Sequence, residues 1–578
     1  MIMSEGIGKI VDICRNSKWS TLCISLLFAV ALFAQCCLFE RFAMGMSVFS
    51  CFIHPTRIIS VYTQKLAISI FFASLCFLFK RKYWVLYVLV INAIWIIAEC
   101  VYMESFDDLM IDAYSLSMVS NLSGFESSIW MYIHSHYIWL FLPIFLMAVA
   151  VYFFDNRQKS NWKAFAICLL LALGLNTGHA MYLSHIYQTK NMDDVHISDV
   201  WNPITSDLIE TSTITYAHDY SIVHCFLRVG YEMLVNTEED VDVDVLTREM
   251  QPFIQPMDTV PQPKTKLVIF LVESLESWAI MPEVTPNICK VIASDGSLYA
   301  PYIKRQALKG QSMDGQILVN TGILPLKNGA SCFRCPYNRF PAISELYTTS
   351  AIIVPGGTSV WNQGCMSRAM GIDTNYVAPF DDEGIIEIYE QIAEQYDYVM
   401  VLTSSSHSPF TEAADRSNIK LPDDMPELMK NYLKSINFTD RCLGKALDKI
   451  SNSENLKDIT IVITSDHTIF SEAHRQQFEK WCKDSGQTQY KPNVAYRPLM
   501  VLPGGGQGPS RIILQYAYQM DIYPTIMHAI GCDSYFWKGW GVNLADSVAA
   551  LNRPIDEAAA YDMADKVLRS NWFELQNY

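Results

Sequence analysis

The sequence predicts an α/β protein in two parts: an N-terminal domain of five transmembrane helices, and a domain outside the cytoplasm whose mostly parallel sheet is sandwiched by helices. Two observations predict this fold class. Five apolar stretches between residues 19 and 183 each approach the roughly 20 residues that cross a ~30 Å hydrocarbon core as a helix. From residue 265 onward, Val- and Ile-rich runs alternate with helix-like segments, which is typical of a parallel sheet covered on both faces.

The predicted spans form a transmembrane domain of residues 1–184. They cover residues 22–40, 66–79, 84–101, 138–154 and 164–183. Lysine and arginine clusters precede the first span and lie between the second and third and between the fourth and fifth, so the positive-inside rule places the N-terminus in the cytoplasm. An odd number of spans then predicts a multi-pass protein of the cell (inner) membrane, with everything after the fifth span outside the cytoplasm.

Residues 185–263 are predicted to contain a juxtamembrane helix and a linker. The stretch YSIVHCFLRVGYEMLV predicts a packed helix or, alternatively, a helix lying on the membrane surface. The acidic run and repeated prolines of NTEEDVDVDVLTREMQPFIQPMDTVPQPK oppose compact structure and indicate a linker.

The exported domain, residues 264–578, carries the β-rich runs. The predicted strands are KLVIFLVE, SAIIVPGG, YDYVMVLTSS and DITIVITSDH, and the predicted helices are SELY, GIIEIYEQIAEQ, MKNYLKSINFTDRCLGKALDKI and DIYPTIMHAIG. The net charge of the chain is -16 and the sequence has no basic patch, which argues against nucleic acid as a partner.

Two of the predicted strands end in residue types that bind metals. Glu273 follows KLVIFLV, and Asp466 with His467 follows ITIVITS. Ligands of open α/β sheets gather at the carboxyl ends of the strands. Two carboxylates and an imidazole there suit one divalent ion, Mn²⁺ or Zn²⁺, with Mg²⁺ as a further possibility. A helix cap or a surface charge is the alternative for either acid alone.

A candidate nucleophile lies between these two strands. Ser312, in KGQSMDGQ, occupies a turn where a helix begins, and a helix N-terminus offers free backbone N–H groups to an anion. A metal-bound hydroxyl at that position can lose its proton and attack phosphorus, which gives a phosphoseryl intermediate. Capping the helix is the alternative role for this serine.

Cysteines identify one further candidate feature. Cys332 and Cys335 in SCFRCPY are the only close pair outside the membrane part, and an oxidising compartment permits a disulfide between them. A zinc site normally needs a second pair at ligand spacing, which the sequence lacks. Whether the two cysteines pair stays open.

Four motifs, in order, resemble the phosphoglycerol transferases of the lipoteichoic acid synthase type, within the alkaline phosphatase and sulfatase superfamily. They are ESLESWAI followed by VTPNICKVIASDG, then GQSMDGQ, SSHSPF and TSDHTIFSEAH. Five spans, a linker and an extracytoplasmic catalytic domain are that family's layout. The resemblance implies a sulfatase-like fold and assigns Glu273, Ser312, Asp466 and His467 as metal ligands, with Ser312 also as the nucleophile.

The same resemblance assigns further residues to the reaction. His407 is expected to bind the phosphate or the departing group, and His474 is a further pocket histidine. In VWNQG, Trp361 and Asn362 are kept as substrate-binding residues. Gln363 stands where the family carries an arginine that contacts the substrate phosphate.

The missing arginine has two candidate substitutes. Arg368 and Arg334 are close enough in the sequence to supply the charge, and an ordinary surface arginine is the alternative for each.

The function expected from these residues is a two-step transfer. Ser312 attacks the phosphodiester of a phospholipid, phosphatidylglycerol or phosphatidylethanolamine, and diacylglycerol leaves. The head group, phosphoglycerol in the first instance, then passes to a glycan or glycolipid of the cell envelope. The alternatives are a phosphoethanolamine transferase acting on lipid A or a glycan, a membrane-bound hydrolase that uses water as acceptor, and an inert membrane sensor.

Overall fold

The computed structural model describes most of the chain. The described residues are 19–43, 55–106, 132–155, 160–189, 197–204, 213–234, 240–468, 472–492, 495–546 and 553–576, with the single residues 14, 109, 110, 130, 470 and 548. They form two compact units, one within residues 1–237 and one within residues 238–578.

The first unit is helical where it is described. Its α-helices are α1 Ser20–Ala43, α2 Pro55–Ser74, α3 Trp84–Phe106, α4 Leu142–Phe154, α5 Trp162–Thr189, α6 Ile197–Trp201, α7 Thr213–Asp219 and α8 Ile222–Glu232. Short 3₁₀ turns cover Leu75–Phe77 and Ser135–Phe141. The predicted juxtamembrane helix corresponds to α8, which buries Val223, Cys225 and Val229 inside this unit.

Four of these helical segments are long and apolar enough to cross a membrane: Ser20–Ala43, Trp84–Glu104, Ser135–Phe154 and Trp162–Ile186. They match the first, third, fourth and fifth predicted spans. At the second predicted span the structure has a shorter apolar stretch, Tyr62–Phe77. The count of five spans and the orientation of the helices therefore stay predictions.

The connector departs from its prediction as a linker. Residues 243–250 form α9, Val243–Met250, and Gln251–Phe253 form a 3₁₀ turn. The acidic run hides a helix signal, because Asp242 caps the first turn and Leu246 and Met250 lie one turn apart and are buried. The indole Nε1 of Trp572 donates to Thr247 Oγ1 at 3.0 Å, which attaches α9 to the second unit. The expectation that this stretch lacks compact structure is wrong for residues 243–253.

The second unit is built on a nine-stranded sheet. Its strands are β1 Leu267–Val272, β2 Leu298–Lys304, β3 Ser350–Pro355, β4 Thr374–Ala378, β5 Tyr398–Leu402, β6 Thr460–Ser465, β7 Arg497–Leu502, β8 Arg511–Ile512 and β9 Ala517–Tyr518. The order is β4-β3-β5-β1-β6-β7-β2-β8, with β9 also paired to β2. Strand β7 is antiparallel to β6 and β2, and the other pairs are parallel. The predicted α/β fold with a mostly parallel sheet is confirmed.

The second unit also contains twelve described helices. They are α9, α10 Pro286–Ala293, α11 Gln311–Thr321, α12 Ser331–Arg334, α13 Gln363–Ala369, α14 Asp382–Ile392, α15 Thr411–Ala414, α16 Glu427–Asn452, α17 Glu472–Ser485, α18 Ile522–Ala529, α19 Glu557–Ser570 and α20 Trp572–Leu575. Further 3₁₀ turns are Ser277–Ala279, Ile343–Leu346, Val360–Asn362 and Gln519–Asp521.

The central strands explain where the site forms. Every residue of β1, β5 and β6 is buried, as expected for parallel strands covered on both faces. In the parallel pair β1 and β6, Val272 lies opposite Ser465, so the residue after each strand emerges at the same edge of the sheet. Glu273 and Asp466 are those residues.

Candidate active site

Three buried side chains form a candidate metal centre at this edge. Glu273, Asp466 and His467 each offer a ligand atom, and these atoms lie within 4.8 Å of one another. His467 Nε2 is 3.4 Å from Glu273 Oε1 and 3.5 Å from Asp466 Oδ2. Two carboxylates and an imidazole are a donor set that a divalent ion accepts, so the residues present fit the metal that the sequence predicts.

Hydrogen bonds orient these candidate ligands. Asp466 Oδ1 accepts from the backbone N–H groups of Ser274 at 3.0 Å and of His467 at 2.7 Å. His467 Nδ1 lies 3.1 Å from the carbonyl oxygen of Thr468 and donates to it, which makes Nε2 the nitrogen with the lone pair. A ring fixed in this way presents Nε2 to the centre of the cluster.

The electrostatics of the cluster favour a cation. Burial, and then the neighbouring Asp466 carboxylate, raise the pKa of Glu273 to about 8. Two buried carboxyl groups at this distance resist being ionised together unless a positive charge lies between them.

Ser312 is the second residue of α11 and points at this cluster. Its Oγ lies 3.3 Å from Glu273 Oε2 and 3.2 Å from His467 Nε2. The predicted helix start at this serine is confirmed. The sequence-predicted ligands and the nucleophile therefore come together, while their roles stay predictions.

The turn that carries Ser312 is strained and fixed. Gln311 has a φ of 43°, which side-chain-bearing residues rarely adopt and which recurs at functional sites. Asp314 Oδ2 accepts from the backbone N–H groups of Leu308 and Gly310, each at 2.9 Å, and so holds the turn from inside.

Helix α11 packs directly against the candidate metal centre. A Cβ atom on Gly315 would lie 2.7 Å from Asp466 Cα, closer than side chains approach a backbone. Only glycine permits this contact, which sets the distance between α11, the helix of the candidate nucleophile, and the end of β6.

The loop after β5 supplies the opposite wall. Thr403 Oγ1 accepts from the backbone N–H of Glu273 at 2.9 Å, and Ser406 Oγ donates to the Glu273 carbonyl at 2.6 Å. His407 follows, and its Nδ1 lies 2.8 Å from the carbonyl oxygen of Ser408. Burial lowers the pKa of His407, so the ring is neutral at neutral pH and Nε2 is its acceptor nitrogen.

These elements enclose a cavity of about 70 Å³. Glu273, Ser312, His407 and Asp466 line it, together with the two glutamines Gln316 and Gln363 and a set of apolar and small residues: Leu271, Val354, Pro355, Gly357, Val360, Trp361, Phe380, Leu402, Thr403 and Ser404. Among the described residues, no lysine or arginine lines this cavity.

The predicted substrate-binding residues divide between the cavity and the surface. Trp361 lines the cavity. Asn362 instead donates its amide Nδ2 to the carbonyl oxygen of Cys332 at 2.9 Å. Arg368 is exposed, lies at the far end of α13, and contacts Cys365 Sγ at 3.3 Å.

The other two predicted positions also lie apart from the cavity lining. Arg334 donates to the carbonyl oxygen of Asn328 at 2.7 Å. The ring of His474 lies between aromatic neighbours, with its centroid 6.4 Å from Phe470 and 6.3 Å from Phe478. The roles of Arg334 and His474 stay predictions. Cys332 and Cys335 are not joined by a disulfide in the structure.

A pair of buried glutamines joins the site, of which the sequence reasoning named Gln363, at the position of the family's arginine, and missed Gln316. Gln316 lies one turn beyond Ser312 on α11, and Gln363 begins α13. The side-chain amides pair reciprocally: Gln316 Nε2 donates to Gln363 Oε1 at 3.0 Å, and Gln363 Nε2 donates to Gln316 Oε1 at 2.9 Å. The spacing of Gln316 from Ser312 is a usable sequence signal, because residues four apart share one face of a helix.

The sequence reasoning also missed a buried ion pair in the loop that follows β1. Glu276, three residues after Glu273, accepts from Arg475 Nη2 at 2.6 Å and Nη1 at 2.9 Å. The indole Nε1 of Trp278 donates to the same carboxylate at 2.6 Å. This pair ties the loop after β1 to α17.

Two family models match the chain. The lipoteichoic acid synthase N-terminal domain matches residues 7–199, and the sulfatase model matches residues 362–532. Among curated relatives, the lipoteichoic acid synthase of Staphylococcus saprophyticus is 25% identical over 308 residues, which cover 49% of this chain and 47% of the relative. Lipoteichoic acid synthase 2 of Bacillus subtilis is 24% identical over 297 residues, or 46% of this chain and 45% of the relative. The chain spans about half the length of the curated relatives it matches.

Solved structures with a similar chain include the lipoteichoic acid synthase LtaP from Listeria monocytogenes. The match has a TM-score of 0.45 at 18% identity and covers 58% of this chain and 98% of that chain. The Streptococcus pyogenes phosphoglycerol transferase GacH, in complex with sn-glycerol-1-phosphate, matches with a TM-score of 0.36 at 13% identity, over 57% of this chain and 90% of that chain.

Proposed function

We propose, from the premise that this chain is a lipoteichoic acid synthase-like member of the alkaline phosphatase and sulfatase superfamily, that it is a metal-dependent transferase of phosphorus-containing groups. It moves the phosphoglycerol head group of phosphatidylglycerol onto a hydroxyl of a cell-envelope glycan or glycolipid. The observation that carries this proposal is the position of Ser312 Oγ, at the start of a helix and 3.2 to 3.3 Å from the buried carboxylate and imidazole cluster.

The ion would be held by Glu273, Asp466, His467 and Ser312. When bound, a divalent metal lowers the pKa of a hydroxyl it contacts and neutralises charge that develops on phosphoryl oxygens. The first N–H groups of α11 supply further positive potential at the same place.

The chain's own residues carry the two steps. Ser312 Oγ attacks the phosphorus of the donor, so a serine–phosphorus bond forms, the bond to the diacylglycerol oxygen breaks, and the serine proton ends on that departing oxygen. In the second step the acceptor hydroxyl attacks the same phosphorus and its proton passes to the neutral Nε2 of His407. The bond to Ser312 Oγ breaks, and His407 gives the proton to that oxygen, which regenerates the serine hydroxyl. Trp361 walls the head group, and His474, Asn362 and Arg368 keep their predicted roles as parts of this proposal.

The apolar helices support a reaction at a membrane. Four segments long enough to span a bilayer support anchoring, and the lysine and arginine clusters support a catalytic domain outside the cytoplasm, on the periplasmic or extracellular side. A donor lipid in the same membrane then lies within reach of the site.

The test incubates the full chain, reconstituted in vesicles with Mn²⁺ or Zn²⁺, with labelled phosphatidylglycerol or phosphatidylethanolamine and a glycolipid acceptor. The expected result is diacylglycerol release from phosphatidylglycerol with label on the acceptor, and loss of both in Ser312→Ala. Release from phosphatidylethanolamine alone would instead identify a phosphoethanolamine transferase. Free glycerol phosphate regardless of acceptor would identify a hydrolase, and no release from either lipid, with metal bound, would contradict the proposal.

A further inference from the structure

One polar group in the cavity lacks a partner although it is buried. Ser404 lines the cavity and is 8% exposed, and its Oγ makes no hydrogen bond to any residue that the structure describes. A buried hydroxyl left unpaired is unfavourable, and most such groups in native proteins are satisfied by a partner or a ligand. This hydroxyl therefore needs an explanation.

Hydrogen bonds fix the loop around Ser404, so the unpaired hydroxyl does not belong to a loosely held segment. Asp382 Oδ1 accepts from the backbone N–H groups of Ser404 at 2.7 Å and Ser405 at 3.0 Å. The backbone N–H of Asp382 donates to Ser405 Oγ at 2.9 Å, and Thr439 Oγ1 donates to the other carboxylate oxygen at 2.6 Å. The neighbouring hydroxyls of Thr403, Ser405 and Ser406 each form a hydrogen bond, and of the four only that of Ser404 has no partner among the described residues.

The amide pair supplies a second neutral hydrogen-bonding group in the same cavity. Gln363 uses both hydrogens of its Nε2, on Gln316 Oε1 and on Ser367 Oγ at 3.2 Å. Gln316 Nε2 gives one hydrogen to Gln363, and its second hydrogen has no partner among the described residues. Gln316 lies one turn beyond Ser312 on the same face of α11, and both residues line the cavity.

We propose that Ser404 and Gln316 form a subsite that hydrogen-bonds the hydroxyl groups of the transferred head group, so that the cavity selects a polyol phosphate. The inference rests on the proposed transferase function and adds the residues that choose the head group. Ser404 Oγ can both donate and accept, as a hydroxyl partner requires.

The charge of the lining favours this ligand class. The carboxylates among the described lining residues are Glu273 and Asp466, which belong to the candidate metal centre, so an ammonium head group finds no separate carboxylate there and only the aromatic faces of Trp361 and Phe380. Recognition of a second phosphate needs lysine or arginine, and the described lining has neither. Neutral donors and acceptors remain, and these suit hydroxyl groups.

A binding experiment tests the subsite without turnover. The full chain in detergent micelles with Mn²⁺ is titrated with sn-glycerol 3-phosphate, ethanolamine phosphate and inorganic phosphate, as wild type, Ser404→Ala and Ser405→Ala. The wild-type protein is expected to bind glycerol phosphate about tenfold more tightly than it binds ethanolamine phosphate or inorganic phosphate, which is the effect of one or two neutral hydrogen bonds. Ser404→Ala is expected to lose this preference. Ser405→Ala, which removes a hydroxyl already bonded inside the loop, keeps the preference and melts at a lower temperature.

The stability of Ser404→Ala is a second readout. Removing an unpaired hydroxyl leaves the melting temperature unchanged or raises it, whereas a structural hydroxyl would lower it. The inference is overturned if Ser404→Ala keeps the preference for glycerol phosphate, or if wild type has none.

A turnover arm separates this inference from the proposed function. Phosphatidylglycerol is compared with an analogue that lacks one head-group hydroxyl, and Ser404→Ala is expected to remove the difference in kcat/KM between them. If neither lipid releases diacylglycerol while the binding preference holds and depends on Ser404, the transferase proposal fails and the subsite stands. If wild type uses both lipids equally, the subsite is contradicted and the transferase stands.

Discussion

Replacing Arg475 by Met tests the buried ion pair between Arg475 and Glu276, which joins α17 to the loop after β1. The side chains of Arg475 and Glu276 are only 7% and 0% exposed, and two short hydrogen bonds join them. Removing the guanidinium leaves the Glu276 carboxylate buried, with the Trp278 indole as its remaining side-chain donor among the described residues. Removing one partner of a buried, hydrogen-bonded ion pair costs about 3–5 kcal/mol.

The expected shift in melting temperature follows from the size of the second unit. At about 2.1 cal/mol/K per residue, a unit of about 340 residues has an unfolding entropy of roughly 0.7 kcal/mol/K, so the loss lowers its melting temperature by about 4–7 °C. The assay is thermal unfolding of the full chain in detergent micelles, followed by tryptophan fluorescence.

Two control variants make this result specific. Lys483 forms an exposed ion pair with Glu479 on the same helix, so Lys483→Met is expected to change the melting temperature by less than about 1 °C. The double variant Glu276→Gln with Arg475→Met removes both charges and is expected to recover most of the loss. A single Arg475→Met variant as stable as wild type, or a double variant no better than the single one, would refute this reasoning.

Three further predictions follow from the same geometry. Burial raises the pKa of Glu273 to about 8, so below that pH a proton occupies this candidate ligand. The affinity for Mn²⁺ is therefore expected to fall up to tenfold per pH unit below about 8, and metal binding is expected to release protons. Titration calorimetry at pH 6, 7 and 8 that shows the same affinity throughout would contradict this prediction. Leu246→Ala removes a buried side chain and should lower the free energy of unfolding by about 2–5 kcal/mol, whereas Val245→Ala, at an exposed position, should lower it by less than about 0.5 kcal/mol. Equal small effects of the two variants in denaturant unfolding would mean that α9 does not pack against the second unit. Gly315→Ala places a Cβ atom 2.7 Å from Asp466 Cα and is expected to displace α11, which carries Ser312. Diacylglycerol release should then fall about 100-fold, while circular dichroism shows that the fold is retained. Turnover at the wild-type rate would count against the close packing of α11.

The residues of the candidate metal centre could be predicted to lie together because the strands that precede them have a clear sequence pattern. Strands β1 and β6 are continuous apolar runs, and each ends on a carboxylate, so a parallel sheet brings Glu273 and Asp466 to one edge whatever the rest of the chain does. The helix start at Ser312 could be predicted for a similar local reason, since a glycine-bearing turn, KGQSMDGQ, precedes the apolar run ILVNTGILPL.

The lining of the cavity could not be predicted in the same way. The Gln316 and Gln363 pair joins two helices that are 47 positions apart in the chain, and no local pattern reports such a contact. Ser404 lies in a run of three serines, and only the hydrogen bonds to Asp382 decide which hydroxyl is left over.

The connector was misjudged for a physical reason. Its acidic composition opposes an isolated compact segment, but tertiary contacts override composition when a few apolar residues share one helix face. Leu246 and Met250 do so, and the cap at Asp242 starts the helix.

The central claim is that Ser312 becomes covalently bonded to phosphorus. The most direct measurement is intact-mass spectrometry of the full chain, as wild type and Ser312→Ala, after incubation with Mn²⁺ and phosphatidylglycerol or phosphatidylethanolamine. The account predicts one glycerol phosphate adduct from phosphatidylglycerol, located on Ser312 by peptide mapping and absent from Ser312→Ala. Absence of any adduct while metal and lipid are bound, or an adduct that persists in Ser312→Ala, would contradict it.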